Sequence, residues 1–210
     1  MNVARAVLLA GSLVIVDKPI PFGEVRKKLT LDYIHAHYDP AASTIEIVPK
    51  MIVIHWTDSA TLKSVLSAFQ PEKLPLWRFD IRKAGAVNVS AQFAVDRDGT
   101  VCRLMPETWM ARHTIGLNRV AIGVENVGGP RWPLTPEQLN SDAELVRYLR
   151  GMYPSIQYLI GHNEYLRFRG TSLWEERDSR YVTGKQDPGE RFMTELRARV
   201  TDLHLRDRPP

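Results

Sequence analysis

The sequence predicts an α/β protein with a mixed central β-sheet flanked by helices. Apolar segments of strand length alternate with segments whose apolar residues recur at helical spacing. Two of the strands are joined by Arg97-Asp98-Gly99-Thr100, where Asp-Gly supplies the positive φ angle of a tight hairpin turn. Helical connections favour parallel strands and a hairpin requires an antiparallel pair, so the sheet is expected to be mixed.

Each element has its own signal in the sequence. The predicted helices cover residues 26–38, 60–69, 136–150 and 188–204, and residues 71–85 are predicted to form a loop. The predicted strands cover residues 43–56, 89–95, 101–105, 120–127 and 155–160. The third helix has the clearest start, because Thr135 can cap it, Pro136 suits its first position and Gln138 completes a capping box.

Composition indicates an ordinary globular protein. Of the 210 residues, 44% are hydrophobic and 25% are charged, which argues against disorder. We expect one domain over residues 45–204, an amino-terminal extension over 1–44 and a tail over 205–210. The net charge is only +4 and Arg26-Lys27-Lys28 is the longest basic run, so no nucleic-acid partner is predicted.

The amino terminus has two interpretations. Residues 6–16 are apolar apart from Ser12, a run too short to span a membrane. The run fits the core of an export signal, and it fits equally a plain hydrophobic strand or arm. The single cysteine, Cys102, excludes an internal disulfide and is expected to be a buried strand residue.

Two histidines share one context, since His55 and His162 each follow an apolar strand. If the two strands run parallel, both imidazoles lie at the carboxyl edge of the sheet, where α/β proteins bind ligands. Imidazole is a common zinc ligand. The alternative is that each is a strand-end histidine with a structural role.

A catalytic zinc site needs a third ligand, and Asp187 is the candidate. Its alternative role is that of a helix cap, because Asp followed by Pro188 is a typical helix start. Lys185 stands two residues earlier, so in an extended segment both side chains face the same side. Its alternative is an exposed surface lysine.

Glu125 interrupts the apolar strand Ala121-Ile122-Gly123-Val124. A carboxylate in such a strand must be paired, lie at the strand end or have a raised pKa. The alternative is a residue on a solvated face, but Gly123 indicates a close approach and favours a functional role. His113 is a candidate for lining a substrate cleft, and His35, His37 and His204 are assigned no role.

These motifs, in this order, resemble the zinc-dependent N-acetylmuramoyl-L-alanine amidases of the type-2 family, relatives of peptidoglycan recognition proteins. The resemblance covers residues 45–200 and rests on seven segments: 52–57, 89–93, 96–100, 111–113, 121–126, 160–164 and 185–189. It departs from the family at Gln92, where members often have histidine. The segment 167–183 is longer than the corresponding segment of compact members and resembles that of a subgroup of bacterial envelope amidases. We expect this loop to form a wall of the cleft.

The resemblance implies a role for each candidate residue. The zinc ligands would be His55, His162 and Asp187, and the catalytic residues Glu125 and Lys185. Substrate-binding residues would be His113, Trp56 and Asn126. Because stem peptides carry carboxylates, we also expect Arg112, Arg119 or Arg167 to edge the cleft.

The resemblance also implies a function. The expected reaction is zinc-dependent hydrolysis of the amide between N-acetylmuramic acid and L-alanine, in peptidoglycan or in muropeptides. The alternatives are a non-catalytic peptidoglycan-binding module on the same fold and an unrelated α/β domain. We expect no stable membrane span, and a location in the bacterial periplasm or cell envelope, with the cytoplasm as the alternative.

Overall fold

A computed structural model describes residues 7–8 and 13–209. The strands within this part of the chain are β1 (Val7–Leu8), β2 (Val14–Asp17), β3 (Met51–Trp56), β4 (Phe93–Val95), β5 (Val101–Arg103), β6 (Ala121–Asn126) and β7 (Tyr158–Gly161). The α-helices are α1 (Glu24–His37), α2 (Leu62–Phe69), α3 (Phe79–Arg82), α4 (Pro136–Met152) and α5 (Glu190–Arg199). Two 3-10 helices cover His162–Phe168 and Thr201–Leu203.

The strands form one mixed sheet in the order β1-β2-β5-β4-β6-β3-β7. The β1–β2 and β4–β5 pairs are antiparallel, and the other four pairs are parallel. The β4–β5 pair is the predicted hairpin, and Gly99 in its turn has a φ of 86°. The predicted fold class is therefore confirmed.

Strand β3 lies between β6 and β7 and is parallel to both. Its first four residues, Met51–Ile54, are fully buried. Burying a side chain of this size contributes about 1.5–3 kcal/mol, so this strand anchors the sheet. Because the three strands are parallel, their carboxyl ends meet at one edge, and this edge carries the site described below.

Helices cover both faces of the sheet. Helices α4 and α5 pack on one face against Ile52, Ile54 and Val124. On the opposite face, α2 packs over Ala94 and the buried Cys102, and Tyr165 and Phe168 of the first 3-10 helix pack near Val53. The capping box at Thr135 and Gln138 is present, as predicted.

Several predicted bounds are wrong at their ends. Only residues 51–56 of the predicted 43–56 strand are regular, and before them a single bridge joins Glu46 to Trp109. The predicted 71–85 loop contains the one-turn helix α3. The last helix starts at Glu190 rather than 188, because Gly189 has a φ of 91° that no α-helix accommodates.

Residues that precede and follow the predicted domain in the chain belong to the same sheet and core as the domain itself. Strand β2 pairs with β5, and Tyr33 and Ile34 of α1 pack on Ile47 and Met110. In the predicted tail, the Arg206 backbone bonds to Gln157 and Leu159 beside β7. Residues 45–204 therefore do not form a separate structural unit.

The predicted apolar run 6–16 falls partly outside the described residues, and its described parts form β1 and most of β2. Among the helices of the described residues, none combines the length and the apolar composition needed to cross a bilayer.

Candidate active site

Three side chains converge at the carboxyl edge of the sheet, as predicted. His55 Nδ1 lies 2.9 Å from His162 Nδ1 and 3.2 Å from Asp187 Oδ2, and His162 Nδ1 lies 3.0 Å from the same carboxylate oxygen. All three residues are buried. Two imidazole nitrogens and one carboxylate oxygen therefore face a common point.

The fold delivers each of the three from a different element. His55 is the fifth residue of β3, and His162 directly follows β7. The segment carrying Asp187 is tied to the 3-10 helix that follows β7, because the Asn163 amide donates to the Asp187 carbonyl at 2.8 Å. The cap interpretation of Asp187 is wrong: Gly189 is the N-cap of α5, and no side chain caps this helix.

This donor set fits zinc. Donor atoms on one tetrahedral zinc, at about 2.0–2.1 Å from the metal, lie roughly 3.3 Å apart, close to the three separations above. Burial opposes ionisation of Asp187, but the close approach of His162 and His55 holds the pKa of this carboxyl well below its ordinary range. Burial and the neighbouring His55 lower the pKa of His162 to about 4. A neutral imidazole and an ionised carboxylate are the protonation states that bind a metal.

A chain of hydrogen bonds orients His55. His113 Nε2 lies 3.4 Å from the Ala121 carbonyl, and its Nδ1 lies 3.0 Å from His55 Nε2. Burial, with His55 and His162 nearby, lowers the pKa of His113 well below its usual value, so the ring is neutral. We place the ring proton of His113 on Nε2, where it faces the Ala121 carbonyl. His55 Nε2 then donates to His113 Nδ1, and His55 Nδ1 is left free to bind a metal.

Gly123 makes room for this arrangement. A Cβ atom at Gly123 would lie 2.9 Å from the ring of His113, closer than real Cβ contacts. The close approach expected at this glycine is therefore present, and its neighbour is His113. The fully buried Gln92 supports the same glycine, because its Oε1 accepts from the Gly123 amide at 2.7 Å. Gln92 thus has a structural role behind the site.

Glu125 points into the cleft beside His55, its register partner on the neighbouring strand. Its Oε2 is shielded from solvent and has no hydrogen-bond partner within the described residues. Burial is the main cause that raises the pKa of Glu125 to about 7, and Asp187 adds to the effect while His55 and Lys185 oppose it. A carboxyl group with this pKa can both accept and donate a proton near neutral pH.

Lys185 faces the same cleft. Exposure alternates along residues 181–187, and the alternate residues Tyr181, Thr183, Lys185 and Asp187 all line the cavity. The expectation that Lys185 and Asp187 share one side of an extended segment is therefore confirmed. The ammonium group lies close enough to Glu125 to affect its pKa.

The cleft has a volume of about 480 Å³. The 167–183 loop contributes Tyr181 and Thr183 to its wall, as expected, and Trp56 and His113 also line it. Helix α1 contributes Tyr33, which the sequence analysis did not identify. Its place on the apolar side of the predicted helix 26–38 indicated burial, and its place in an amino-terminal segment shared with the envelope subgroup gave it no role in a site. Thr114 also lines the cavity, with its hydroxyl oxygen 2.8 Å from His113 Nδ1, and it was not identified from the sequence.

Asn126 does not contact the cleft, and its predicted role in binding substrate is wrong for the side chain. It is fully buried on the α4 side of the sheet, and its Nδ2 donates to Asp142 at 2.8 Å. Successive residues of a strand point to opposite faces, so Asn126 must turn away when Glu125 faces the cleft.

The three arginines proposed to edge the cleft have other partners. Arg112 lies in the cavity wall, but its guanidinium donates to the carbonyls of residues 81, 85 and 87. Arg119 pairs with Asp39 and Glu175, and Arg167 pairs with Glu164 and Asp207. Neither Arg119 nor Arg167 lines the cavity, so for these two the prediction is wrong.

Comparison with known proteins agrees with the fold and with the motif order. The family model described as N-acetylmuramoyl-L-alanine amidase matches residues 46–190. An endolysin of Enterobacteria phage K11 is 30% identical over 88 residues, which are 39% of this chain and 58% of the endolysin. The match thus spans less than two thirds of that relative's length.

Solved structures share the fold. A selenomethionine derivative of AmpD aligns over 87% of this chain and 92% of its own, with 20% identity and a TM-score of 0.52. Peptidoglycan recognition protein-LE, solved in complex with tracheal cytotoxin, aligns over 78% of this chain and 85% of its own, with 18% identity and a TM-score of 0.52. The family match covers more than half of the chain, so this chain belongs to the N-acetylmuramoyl-L-alanine amidase family, and it shares its fold with AmpD and with a peptidoglycan recognition protein.

Proposed function

We propose that this protein is a zinc-dependent amidase that cleaves the bond between N-acetylmuramic acid and L-alanine in peptidoglycan or its fragments. One observation carries the proposal: an unpartnered carboxylate, Glu125, lies in register beside a cluster of three metal-binding side chains. Family membership supports the reaction class, hydrolysis of a peptidoglycan amide.

His55, His162 and Asp187 would hold the zinc ion. Zinc acts as a Lewis acid that polarises the amide carbonyl and makes water a stronger nucleophile at neutral pH. The three residues leave one side of the cluster open to the cleft, which is where a substrate can approach.

Glu125 would move the proton. Its carboxylate accepts a proton from the attacking water and passes it to the nitrogen of L-alanine, which leaves as an amine. The raised pKa suits both steps, because the group must be a base first and an acid afterwards. A group that does this contributes about 10²–10⁴-fold to the rate.

Lys185 would stabilise the negative charge that develops on the carbonyl oxygen. It lies in the same cavity, and its ammonium carries a full charge and three donors. Removing one preorganised donor of this kind costs about 10²–10³-fold in kcat in other enzymes.

Similarity to an endolysin and to a recognition protein solved with a monomeric diaminopimelic acid-type peptidoglycan supports a wall-derived substrate. We propose the bacterial periplasm or cell envelope as its location, since the polymer lies there. The cytoplasm is the alternative if the substrate is a recycled fragment. Incubation with intact sacculi and, separately, with soluble muropeptides distinguishes the two.

A non-catalytic binding module on the same fold is the second candidate. The presence of all three ligands, together with Glu125 and Lys185, favours the enzyme. The test is the rate of muropeptide hydrolysis by Glu125→Gln and His55→Ala. We expect Glu125→Gln to hydrolyse muropeptides about 10²–10⁴-fold more slowly while it retains zinc. His55→Ala should lose both the activity and the zinc. Unchanged hydrolysis in both variants contradicts the mechanism.

A further inference from the structure

Three large apolar side chains stand exposed close together in the loop that follows α2. Leu76, Trp77 and Phe79 are 67%, 68% and 75% exposed, the highest values among the large apolar side chains of the described residues. None of the three lines the catalytic cleft. Single exposed apolar residues are common in proteins, but a group of them marks an interaction surface. We call these three residues the apolar tip.

The base of this loop is fixed to the rest of the fold. The Leu74 amide donates to the Ala86 carbonyl at 2.8 Å, and the Leu74 side chain is buried. Ile81 is also buried, and the Arg112 guanidinium donates to its carbonyl at 2.6 Å. The loop therefore buries two of its apolar side chains while it exposes the apolar tip.

A turn carries the apolar tip. The Arg78 amide donates to the Pro75 carbonyl at 3.1 Å, which makes Leu76 and Trp77 the central residues of a four-residue turn. Phe79 follows as the first residue of α3. The apolar tip therefore occupies the bend of an anchored loop.

Three cations lie close to the apolar tip in the chain. Lys73, Arg82 and Lys83 are exposed, and within the described ranges none of them forms an ion pair with a carboxylate. The Arg82 guanidinium donates to the Leu76 carbonyl at 3.4 Å, so this cation contacts the tip. The charge of these side chains is therefore available to attract an anionic surface.

The acidic residues of the same segment do not cancel this charge. Asp80 pairs with Arg78 at 3.5 Å, and Glu72 accepts from the Arg26 amide at 3.3 Å. Residues 72–83 contain four basic and two acidic residues, so a net positive charge remains.

An anionic lipid bilayer complements this surface. Tryptophan and phenylalanine side chains enter the boundary between headgroups and acyl chains, while lysine and arginine are attracted to anionic headgroups. A protein partner fits less well, because a stable protein interface buries about 800 Å² on each partner. An aromatic side chain buries about 150–250 Å², so two aromatic rings and one leucine supply less than that area.

We propose that the apolar tip docks this protein on an anionic phospholipid surface, with the three apolar side chains at the headgroup level and the three cations against the headgroups. The inference goes beyond the proposed function and does not depend on it, because the metal cluster takes no part in docking. Arg78 and Ile81, on either side of Phe79, line the catalytic cleft, so a bilayer bound at the tip lies at one rim of the cleft.

The experiment measures cosedimentation of the full chain with vesicles of two compositions: phosphatidylcholine alone, and an equimolar mixture of phosphatidylcholine and phosphatidylglycerol. We expect wild type to bind the mixed vesicles at least about tenfold more tightly, because each cation near an anionic surface adds to the attraction. NaCl at about 1 M shortens the screening length to about 3 Å and should remove most of this difference.

A double variant tests the apolar side chains. Trp77→Ser/Phe79→Ser should bind the mixed vesicles at least about tenfold more weakly than wild type. It should keep the thermal stability of wild type, because both rings are exposed. The matched control is Val48→Ser/Met152→Ser, which changes two other exposed apolar side chains and should bind as wild type does.

A second double variant tests the cations. Arg82→Gln/Lys83→Gln should bind the mixed vesicles about tenfold more weakly and change little on phosphatidylcholine alone. Its control, Arg191→Gln/Arg199→Gln, removes the same charge from α5, which packs on the opposite face of the sheet from α2. This control should bind both kinds of vesicle as wild type does.

Several outcomes would overturn the inference. Wild type that binds both kinds of vesicle equally, or Trp77→Ser/Phe79→Ser that binds as wild type does, shows that the tip does not dock on lipid. A wild-type dimer that the same variant dissociates, seen by sedimentation velocity, assigns the tip to an interface between two copies. Muropeptide hydrolysis, measured in parallel, tests the proposed function separately, because vesicle binding requires no turnover.

Discussion

Glu125 is the register partner of His55, so the proposed base and a proposed metal ligand stand side by side on parallel strands. Paired residues of neighbouring strands point to the same face of a sheet, and this pairing alone directs both side chains to the cleft. A slip of one residue would put Val124 or Asn126 beside His55 and would turn the carboxylate towards α4. The chemistry of the site therefore depends on the packing that holds β3 and β6 in register.

Removal of one proposed ligand should abolish metal binding. We expect His162→Ala to bind zinc at least about 100-fold more weakly than wild type, because two donors remain where a stable site needs three or more. Metal analysis of the purified protein measures this. His204→Ala, an exposed histidine away from the site, should keep a full complement of zinc. A stoichiometric zinc content in His162→Ala would mean that the metal binds elsewhere.

Loss of the Lys185 ammonium should slow the reaction without affecting the metal. For Lys185→Met we expect kcat to fall by about 10²–10³-fold with little change in KM, because the charge it stabilises exists only during the reaction. Steady-state kinetics and zinc content are the two measurements. Lys63→Met, at an exposed position on α2, is the matched control and should behave as wild type. A rise in KM alone would assign Lys185 to substrate binding.

A methyl group at Gly123 should disturb the site through His113. In Gly123→Ala the new Cβ would lie 2.9 Å from the His113 ring, so the ring must move and His55 loses its hydrogen-bond partner. Loss of such a supporting contact typically costs 10–100-fold in metal affinity, and competition with a chelator measures it.

Gly151→Ala is the matched control for this change. A Cβ at Gly151, in helix α4, meets no atom within 4 Å, and alanine is a better helix former than glycine. We expect a gain of about 0.5–1 kcal/mol in the free energy of unfolding and an unchanged zinc affinity. Equal zinc affinity in the two variants would show that His113 does not support the metal ligand His55.

The buried Asp142 should make stability depend on pH. Burial raises the pKa of this carboxyl from 3.8 to about 7, against the opposing hydrogen bond from Asn126. Between these pH values the folded protein keeps a proton that the unfolded chain releases, so stability falls as the pH rises from about 4 to about 7. Asp142→Asn keeps an acceptor for Asn126 and should be more stable than wild type at pH 8 by roughly 1–4 kcal/mol.

Denaturant unfolding at several pH values between 4 and 8 measures this difference, which should shrink towards pH 4. Glu144→Gln, on the exposed side of the same helix, is the control and should keep the pH dependence of wild type. The same pH dependence in Asp142→Asn and in wild type would show that another group is responsible.

Local patterns in the sequence were sufficient for most of the elements and for the two histidines of the metal cluster. The apolar runs before His55 and His162 indicated buried strands, and strands that end at one edge bring their last residues together. The same alternation that directs Glu125 to the cleft excludes Asn126 from it, so that error arose from family resemblance where strand geometry already gave the answer. Arg119 is different, because its partners in the fold, Asp39 and Glu175, are distant in sequence.

By itself, the sequence determined the type and order of most elements, the mixed sheet and the two histidines that meet at its carboxyl edge. These follow from periodicity and turn chemistry, which act over a few residues. Only the tertiary structure decided that β2 joins the sheet, that Asp187 faces the histidines and does not cap α5, and that the apolar tip stands exposed. Those outcomes depend on long-range packing, since a side chain's partners are set by which surfaces bury together, and a local pattern contains no information about that choice.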